Sequence, residues 1–507
     1  MYGDNNFVYY LYRTEIFMTV TRFAPSPTGY MHIGNLRTAL YSFLISKHDG
    51  GKFILRIEDT DRERLVDGAT DVIKSTLKMT GLSYDEGPDV GGEHGPYVQS
   101  ERKNIYMEYA TKLVDMGAAY YCFCTKDRLE KLHEDDAVGG YDRHCRNLSQ
   151  EEIEKNLLAG VPFVIRQKMP LDGVTSYKDE VFGEISMNNS ELQDQILIKA
   201  DGYPTYNFCH VIDDYLMGVT HVVRGSEYLT STPKYVLLYD SLGWERPTYI
   251  HLPLMMGKGE DGTVSKLSKR HGAVSFQDLV DDGYLPEAII NYIALLGWCP
   301  KESENEFFTL EELKAAFTID GVSKSPAVFD YEKLLWFNGE YIHKLTDADF
   351  NERVAKFIKS DIPSNVNKDK MLSLLKTRIS KLSEIDERMS FFLALPDYDT
   401  ELFLNKKNKI ADFEIVKTVL AEAKTVLSSV ISFDNDTLFA SLMPIAERLA
   451  IKTGALMWCI RIAVSGMAAT PGGATEIMEV IGKDESLARI DKSLSLLCFR
   501  LNSIKAT

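Results

Sequence analysis

VTRFAPSP (residues 20–27) is a short apolar run closed by prolines, and it predicts a strand running into a turn. Leu36, Ala39, Leu40, Phe43 and Leu44 then recur at three- and four-residue intervals, predicting a helix that begins near Leu36. KFILRIED (52–59) predicts a second strand, and GATDVIKSTLKMTGL (68–82) a helix stopped by Gly81. A strand–helix–strand unit of this length implies a parallel sheet, with a nucleotide at the carboxyl ends of its strands. Residues 101–205 change character, with a helix, a Cys-bearing segment, a polar stretch and strand-like pieces such as VPFVIRQKM, and they read as an insertion. From Tyr206 to about Ser275 the α/β pattern resumes in HVVRGSEYL and PKYVLLYDSLGW. Beyond Tyr341 the pattern is almost wholly helical, as in KMLSLLKTRISKLSEI and EIVKTVLAEAKTVLSSV, whose Leu/Ile stripes read as the core of a helical bundle.

The chain has 507 residues, room for roughly three domains. Its 45% hydrophobic and 26% charged content is that of a globular protein and excludes a disordered one. No apolar run approaches the ~20 residues of a transmembrane helix. Seven cysteines, an odd number in so long a chain, disfavour a disulfide scaffold and predict a reducing, cytoplasmic setting. MYGDNNFVYYLYRTEIF (1–17) has neither a signal-peptide nor a transit-peptide pattern, and it reads as an extension ahead of a second possible start, Met18. The net charge of −17 disfavours a nucleic-acid partner at face value. Residues 341–507, however, hold 23 basic and 22 acidic residues, so the excess acidity lies in residues 1–340. Nucleic acid responds to local basic surface, and the charge neither demands nor excludes RNA.

Two stretches carry candidate chemistry. Pro25-Ser26-Pro27-Thr28-Gly29 is a stiff turn leading into His32-Ile33-Gly34-Asn35 at the first turn of a helix. The unpaired N–H groups and positive dipole end of such a helix suit a polyphosphate. Gly34 would let an adenine lie against the backbone, and His32 can donate to phosphate oxygens. Lys266-Leu267-Ser268-Lys269-Arg270 lies between GKGEDGTVS and HGAVS, a flexible cationic loop able to close over a leaving pyrophosphate. A charge run alone is more often a solvated face.

RFAPSPTGYMHIGNLRTAL (22–40) resembles the first signature of class I aminoacyl-tRNA synthetases, in the wording of the glutamyl branch. KLSKR resembles the second signature, KMSKS, with Leu for Met and Arg for the last Ser, 234 residues after His32. WCIRIAVSGMAATPGGATEIMEVIGKDESLARI resembles the last segment of the bacterial glutamyl enzymes. The resemblance implies an α/β architecture. A Rossmann-like parallel-sheet catalytic domain would be split between residues 18–100 and 206–275, with an acceptor-end-binding domain inserted at 101–205. A linking, stem-contact helical region (276–340) and an all-α anticodon-binding domain (341–507) would follow. The implied reaction is ATP-dependent ligation of L-glutamate to the 3′ end of tRNA(Glu) through glutamyl-adenylate, by a monomer outside any membrane.

The same resemblance implies site roles. His32, Lys266 and Lys269 are the candidate catalytic residues. ATP with Mg²⁺ would meet Pro25, Thr28, His32, Gly34, Asn35, Glu227, Ser268, Lys269 and Arg270. Glutamate would meet Arg22, Ala24, Ser26, Glu58, Tyr206, His210 and Arg224, with Arg22 and Arg224 the available planar cations for its γ-carboxylate and Glu58 receiving its ammonium. DGYPTYNFCHV (201–211) departs from the family's pattern, with Cys209 for a small residue and His210 for Asn. Cys122-x-Cys124 followed by Tyr141-x-x-x-Cys145 offers three thiolates and a phenol. Some glutamyl enzymes and their shortened relatives hold zinc in this insertion with a His or Tyr as fourth ligand. The position two after the last Cys is Asn147, and Tyr141 suits the other version, against a reading of reduced, unliganded cysteines. Two alternatives stand: an enzyme that also charges tRNA(Gln), and a catalytically silent tRNA-binding module, against which both intact nucleotide signatures argue.

Overall fold

The computed structural model describes residues 18–506 apart from 135–139, 260, 269–270, 273 and 302–303. The 1–17 extension, Lys269 and Arg270 therefore lie outside the described residues. The chain forms two compact units, one of residues up to 279 with 289–330, the other of residues 280–288 with 331–507.

In the first unit β1 (Val20–Phe23), α1 (Ile33–His48) and β2 (Lys52–Leu55) form the predicted strand–helix–strand unit, with Val20 opposite Lys52 and Phe23 opposite Leu55 in parallel. All five apolar positions of the predicted helical stripe are buried. So are Arg37, Tyr41, Ser42 and Ile45, because α1 is covered on nearly every side. α2 (Ala69–Met79) ends as expected before Gly81, whose φ of +74° is the left-handed turn a glycine permits.

The chain continues through α3 (Lys103–Asp115), β3 (Ala119–Cys122), α4 (Lys126–Glu134), α5 (Gln150–Leu158), β4 (Val164–Gln167), β5 (Val174–Asp179), β6 (Gly183–Asn188) and β7 (Ile196–Ile198). Then come α6 (Tyr206–Leu216), β8 (His221–Gly225), α7 (Thr232–Leu242) and β9 (Thr248–Leu252). β8 and β9 pair in parallel. Thr220, just before β8, donates its N–H to Val20 O (3.0 Å) and accepts the Val20 N–H on Oγ1 (2.8 Å), which sets β1 beside β8.

Residues 101–205 contribute to two sheets. β3, β4 and β7 make a small antiparallel sheet. The β5–β6 hairpin extends the sheet of β8 and β9, with Asp179 opposite Tyr249. Tyr106, Ala110 and Leu113 of α3 share one apolar cluster with Phe208, Val211 and Ile212 of α6 and Tyr235 and Leu238 of α7. The insertion and the resumed α/β region thus have a common core. β10 (Met255–Lys258) and β11 (Val264–Lys266) form a hairpin, and after α8 (Phe276–Asp281), α9 (Pro286–Ala294) and α10 (Leu310–Ala316), β12 (Ala327–Phe329) pairs with β10 in parallel.

The second unit contains α11 (Tyr331–Lys344), α12 (Asp347–Val354), α13 (Lys368–Lys376), α14 (Ile385–Leu393), α15 (Phe413–Ser429), α16 (Asn435–Arg448), α17 (Thr453–Ser465), α18 (Ala474–Ile481) and α19 (Lys483–Ala506). α15 buries Phe413, Val416, Val419, Leu420, Ala423 and Leu427, a one-faced stripe at helical spacing. Those residues join Leu438, Leu442, Leu456, Ile460, Ile477 and Val480 in one core. Among the described residues no helix is long and apolar enough to cross a membrane.

Candidate active site

α1 starts at Ile33, three residues before the predicted Leu36, and the reason is local. His32 is its N-cap, extended at φ −62° and ψ 141°, and its Nδ1 accepts the Gly34 N–H at 3.0 Å. That hydrogen bond leaves the ring proton of a neutral imidazole on Nε2. Gly34 is tight for this reason too, since a Cβ there would come within 3.2 Å of the His32 Nδ1. Pro25 is buried, and its carbonyl accepts the Glu58 N–H at 3.0 Å, tying the ends of β1 and β2 together. Ala24 is half-buried, and Ser26, Thr28 and Asn35 are exposed around the same turn.

The turn of the first signature is bonded to the segment that follows the second. Ile33 N donates to Val274 O (2.9 Å), Phe276 N to Met31 O (3.0 Å), and Met31 N to Gln277 Oε1 (3.1 Å). Leu267 N donates to Met255 O at 3.0 Å, placing Lys266 at the exposed end of β11. Ser268 O accepts the His271 N–H at 2.9 Å. The His32 imidazole is held below its usual pKa chiefly by burial, with the Lys266 charge in the same direction and the Leu267 backbone opposing. Glu227, in a short helical turn after β8, is exposed.

A buried network joins β1, the residues just after β2, and α6. Arg22 donates from Nε and Nη2 to the two oxygens of Asp214 (2.9 and 3.2 Å) and from Nη1 to Val223 O (3.2 Å). Arg56 Nη1 reaches Asp214 at 2.8 Å, and its Nη2 reaches Glu58 at 3.0 Å. Burial pushes the Asp214 carboxyl up, but Arg22 and Arg56 outweigh it and hold Asp214 well below the usual carboxylate range. For Glu58 burial prevails over Arg56 and Arg22, and its pKa rises to about 7. Asp213 accepts from Arg102 Nε (2.7 Å), Tyr106 Oη (2.8 Å) and Gln99 Nε2 (2.8 Å).

Arg224 sits differently. It is buried, and its guanidinium lies 5.2, 4.8 and 5.8 Å from the ring centres of Tyr228, Tyr235 and Tyr249. Its polar partners are His251 Nε2 (3.1 Å), His210 Nε2 (3.4 Å) and Thr232 Oγ1 (2.8 Å). Among the described residues no carboxylate pairs with it. His210 stacks on Tyr206 at 4.9 Å, its Nδ1 bonds the Tyr206 carbonyl at 2.7 Å, and burial with the Arg224 charge lowers its pKa to about 3.

Arg22 and Arg224, equal as candidate cations in the sequence, are therefore unequal in the structure. The Nε–Nη2 edge of Arg22, one of the edges on which a guanidinium can hold a carboxylate by two hydrogen bonds, is occupied by Asp214. Asp213, Asp214, Gln99, Arg102, Thr232 and His251 escaped the sequence reading. The signal for two of them was present, because adjacent aspartates in the apolar helix HVIDDYLMGV need buried cations.

In the insertion the Sγ atoms of Cys122, Cys124 and Cys145 all lie within 4.8 Å of one another. Tyr141 Oη is 3.2 Å from Cys122 Sγ and 3.9 Å from Cys124 Sγ, and it accepts the Cys145 N–H at 3.1 Å. Asn147 is exposed. The Cys145 thiol and Tyr141 phenol hold the Cys122 thiol low, at about 4.

A family model described as the catalytic domain of class I tRNA synthetases (E and Q) matches residues 18–336, and one described as an anticodon binding domain matches residues 340–494. A glutamate–tRNA ligase of Clostridium tetani is 54% identical over 486 residues, covering 95% of this chain and 98% of its own. That of Clostridium kluyveri is 52% identical over 481 residues, covering 94% and 98%. The crystal structure of a glutamate tRNA ligase from Elizabethkingia meningosepticum, in complex with its amino acid, superposes with a TM-score of 0.86 at 35% identity, covering 95% of this chain and 100% of that one.

Proposed function

Since this chain belongs to the class I tRNA synthetases of the E and Q family, we propose that it ligates L-glutamate to tRNA(Glu) with ATP, through a glutamyl-adenylate. The substrate α-carboxylate attacks the α-phosphorus and pyrophosphate leaves; the 2′-hydroxyl of the terminal adenosine then attacks the acyl carbon, the acyl–phosphate bond breaks, and AMP leaves with the hydroxyl proton released. A carboxylate is already ionised at neutral pH, so the first step needs no side-chain base. Placement and charge neutralisation are the enzyme's contribution. His32, Lys266 and Lys269 attend the triphosphate, with Mg²⁺ sharing its charge. Pro25, Thr28, Gly34, Asn35, Glu227, Ser268 and Arg270 complete the ATP site. Residues 101–205 receive the acceptor end, 276–340 the stem, and 341–507 the anticodon of a tRNA bound by one monomer.

The observation that carries the amino-acid assignment is the buried Arg224 guanidinium, without a counter-charge among the described residues. A buried cation is costly unless an anion joins it, and the γ-carboxylate of glutamate is that anion. Arg22, already neutralised by Asp214, keeps two N–H donors for the substrate. Ala24, Ser26, Tyr206 and His210 shape the remaining wall, and ionised Glu58 takes the ammonium. Arg224→Ala should raise KM for glutamate about a hundredfold in tRNA-supported ATP–pyrophosphate exchange while sparing KM for ATP. An unchanged KM for glutamate overturns the assignment.

Cys122, Cys124, Tyr141 and Cys145 fit a structural Zn²⁺. Sulfurs around one tetrahedral zinc stand about 3.8 Å apart, a spacing the cluster already approaches, and a phenol oxygen is at hand. The metal would fasten the two ends of the Cys122–Cys145 segment. Elemental analysis should find about one zinc per chain, lost in Cys124→Ser; protein grown with zinc yet free of it contradicts the site.

A further inference from the structure

Arg224 on β8 lies opposite His251 on the parallel neighbour β9, so the two side chains share one face of the sheet. An arginine Nε always carries hydrogen, so the His251 Nε2 that meets it at 3.1 Å presents a lone pair. The histidine proton must then reside on Nδ1, and there Asp179 Oδ2 accepts it at 2.6 Å. Asp179 is itself immobilised. The same oxygen accepts the His251 backbone N–H (3.1 Å), and Oδ1 accepts the N–H groups of Val181 (3.0 Å) and Phe182 (2.8 Å) at the turn between β5 and β6. Both Asp179 and His251 are wholly buried.

We infer that Asp179 and His251 are positioning residues for the substrate carboxylate site: Asp179 selects the one histidine tautomer whose Nε2 lone pair aims the Arg224 guanidinium. The inference rests on the assignment of the glutamate γ-carboxylate to Arg224. A carboxylate in the place of His251 would neutralise Arg224 and remove its attraction for an anion, as Asp214 does for Arg22. An apolar residue would leave the guanidinium free to turn. A neutral acceptor fixes direction and leaves the charge unspent. His210 repeats the arrangement from α6, its Nδ1 held by the Tyr206 carbonyl and its Nε2 turned to Arg224 Nη1. Burial and the Arg224 charge both hold His251 below its usual pKa against the pull of Asp179, in keeping with the neutral form.

A merely structural histidine would affect stability alone, and the full-length enzyme can separate the two roles. His251→Phe keeps a ring without an acceptor, whereas His251→Gln returns a side-chain oxygen near the Nε2 position. In tRNA-supported ATP–pyrophosphate exchange, His251→Phe should raise KM for glutamate about tenfold or more with KM for ATP unchanged, and His251→Gln should recover to within about threefold of wild type. Asp179→Asn, which cannot enforce the tautomer, should fall between them. Thermal unfolding of each variant identifies the folded ones, and if His251→Phe does not fold, Asp179→Asn decides, through the same KM for glutamate. A wild-type KM for glutamate in folded His251→Phe or, failing that variant, in Asp179→Asn overturns the inference. So does a His251→Gln as impaired as His251→Phe. Arg224→Ala, run alongside, isolates the underlying assignment: if it too leaves glutamate use intact, the carboxylate site lies elsewhere, whereas if it alone is impaired, only the Asp179–His251 relay fails.

Discussion

The α/β unit buries Arg22, Arg56, Glu58, Asp213, Asp214 and Arg224 close together, whereas among the described residues of the helical unit the one fully buried charged side chain is Arg489. Arg489 serves structure: its Nη1 donates to the carbonyls of Phe391 (2.6 Å) and Val464 (2.8 Å), its Nη2 to that of Phe392 (3.0 Å), and its Nε to Glu485 (2.7 Å). Around it the interior is aliphatic and aromatic. Burying ions rarely adds stability, because desolvation offsets most of their mutual attraction. Apolar packing is the cheaper way to hold a fold together, and the helical unit relies on it. The α/β unit accepts the cost of its ions, and under the proposed function the return is fixed directions for the reacting groups.

That contrast can be broken at three points. Asp214→Ala would strand Arg22 and Arg56 together, and it should lower stability by about 4 kcal/mol, read as a drop in the urea midpoint, and abolish glutamate activation. A midpoint equal to that of the wild type would mean that the network is not held by charge. Leu456→Ala, in the core of the helical unit, should lower stability by about 3 kcal/mol through the cavity it opens. Glutamate KM should stay within about twofold, since the substitution touches none of the site's groups; a larger rise would join the two units in function.

The smallest effect concerns pH. With the Glu58 pKa raised to about 7 from an ordinary 4.5, the folded protein holds a proton that the unfolded chain loses between those values. Its contribution to stability therefore falls as pH rises from 4.5 to 7 and is level above 7. Over the same interval the ionised form, to which the substrate ammonium is assigned in the proposed function, becomes populated. KM for glutamate should fall by up to about tenfold per pH unit as pH approaches 7, then flatten, and Glu58→Gln should remove the slope. A slope that survives in Glu58→Gln would assign the titration to another group.

Several elements were legible along the chain because their causes are local. The stripe from Leu36 to Leu44, the Gly81 stop and the one-faced α15 follow from spacing alone. The start of α1 is not legible along the chain, because histidine is an unusual N-cap and only the approach of its Nδ1 to Gly34 N reveals it. The sulfur cluster was half legible: Cys-x-Cys and the later Cys145 stood out, but the choice of Tyr141 over Asn147 as neighbour depends on how the chain turns between them. Arg56 and Glu58 lie two residues apart and share a face as a strand period requires, while the rise in the Glu58 pKa comes from burial by distant parts of the chain.

The order of residues by itself determined the strand–helix–strand start, the two signature stretches, the helical last third and the two candidate arginines. Which arginine is left without a counter-ion among the described residues was decided only by the tertiary structure. Asp214 stands 192 residues from Arg22 along the chain, yet at 2.9 Å it neutralises that guanidinium, while Arg224 receives two imidazoles and a hydroxyl. Periodicity depends on neighbours in sequence, whereas electrostatic partnership depends on separation in space, and folding alone sets that.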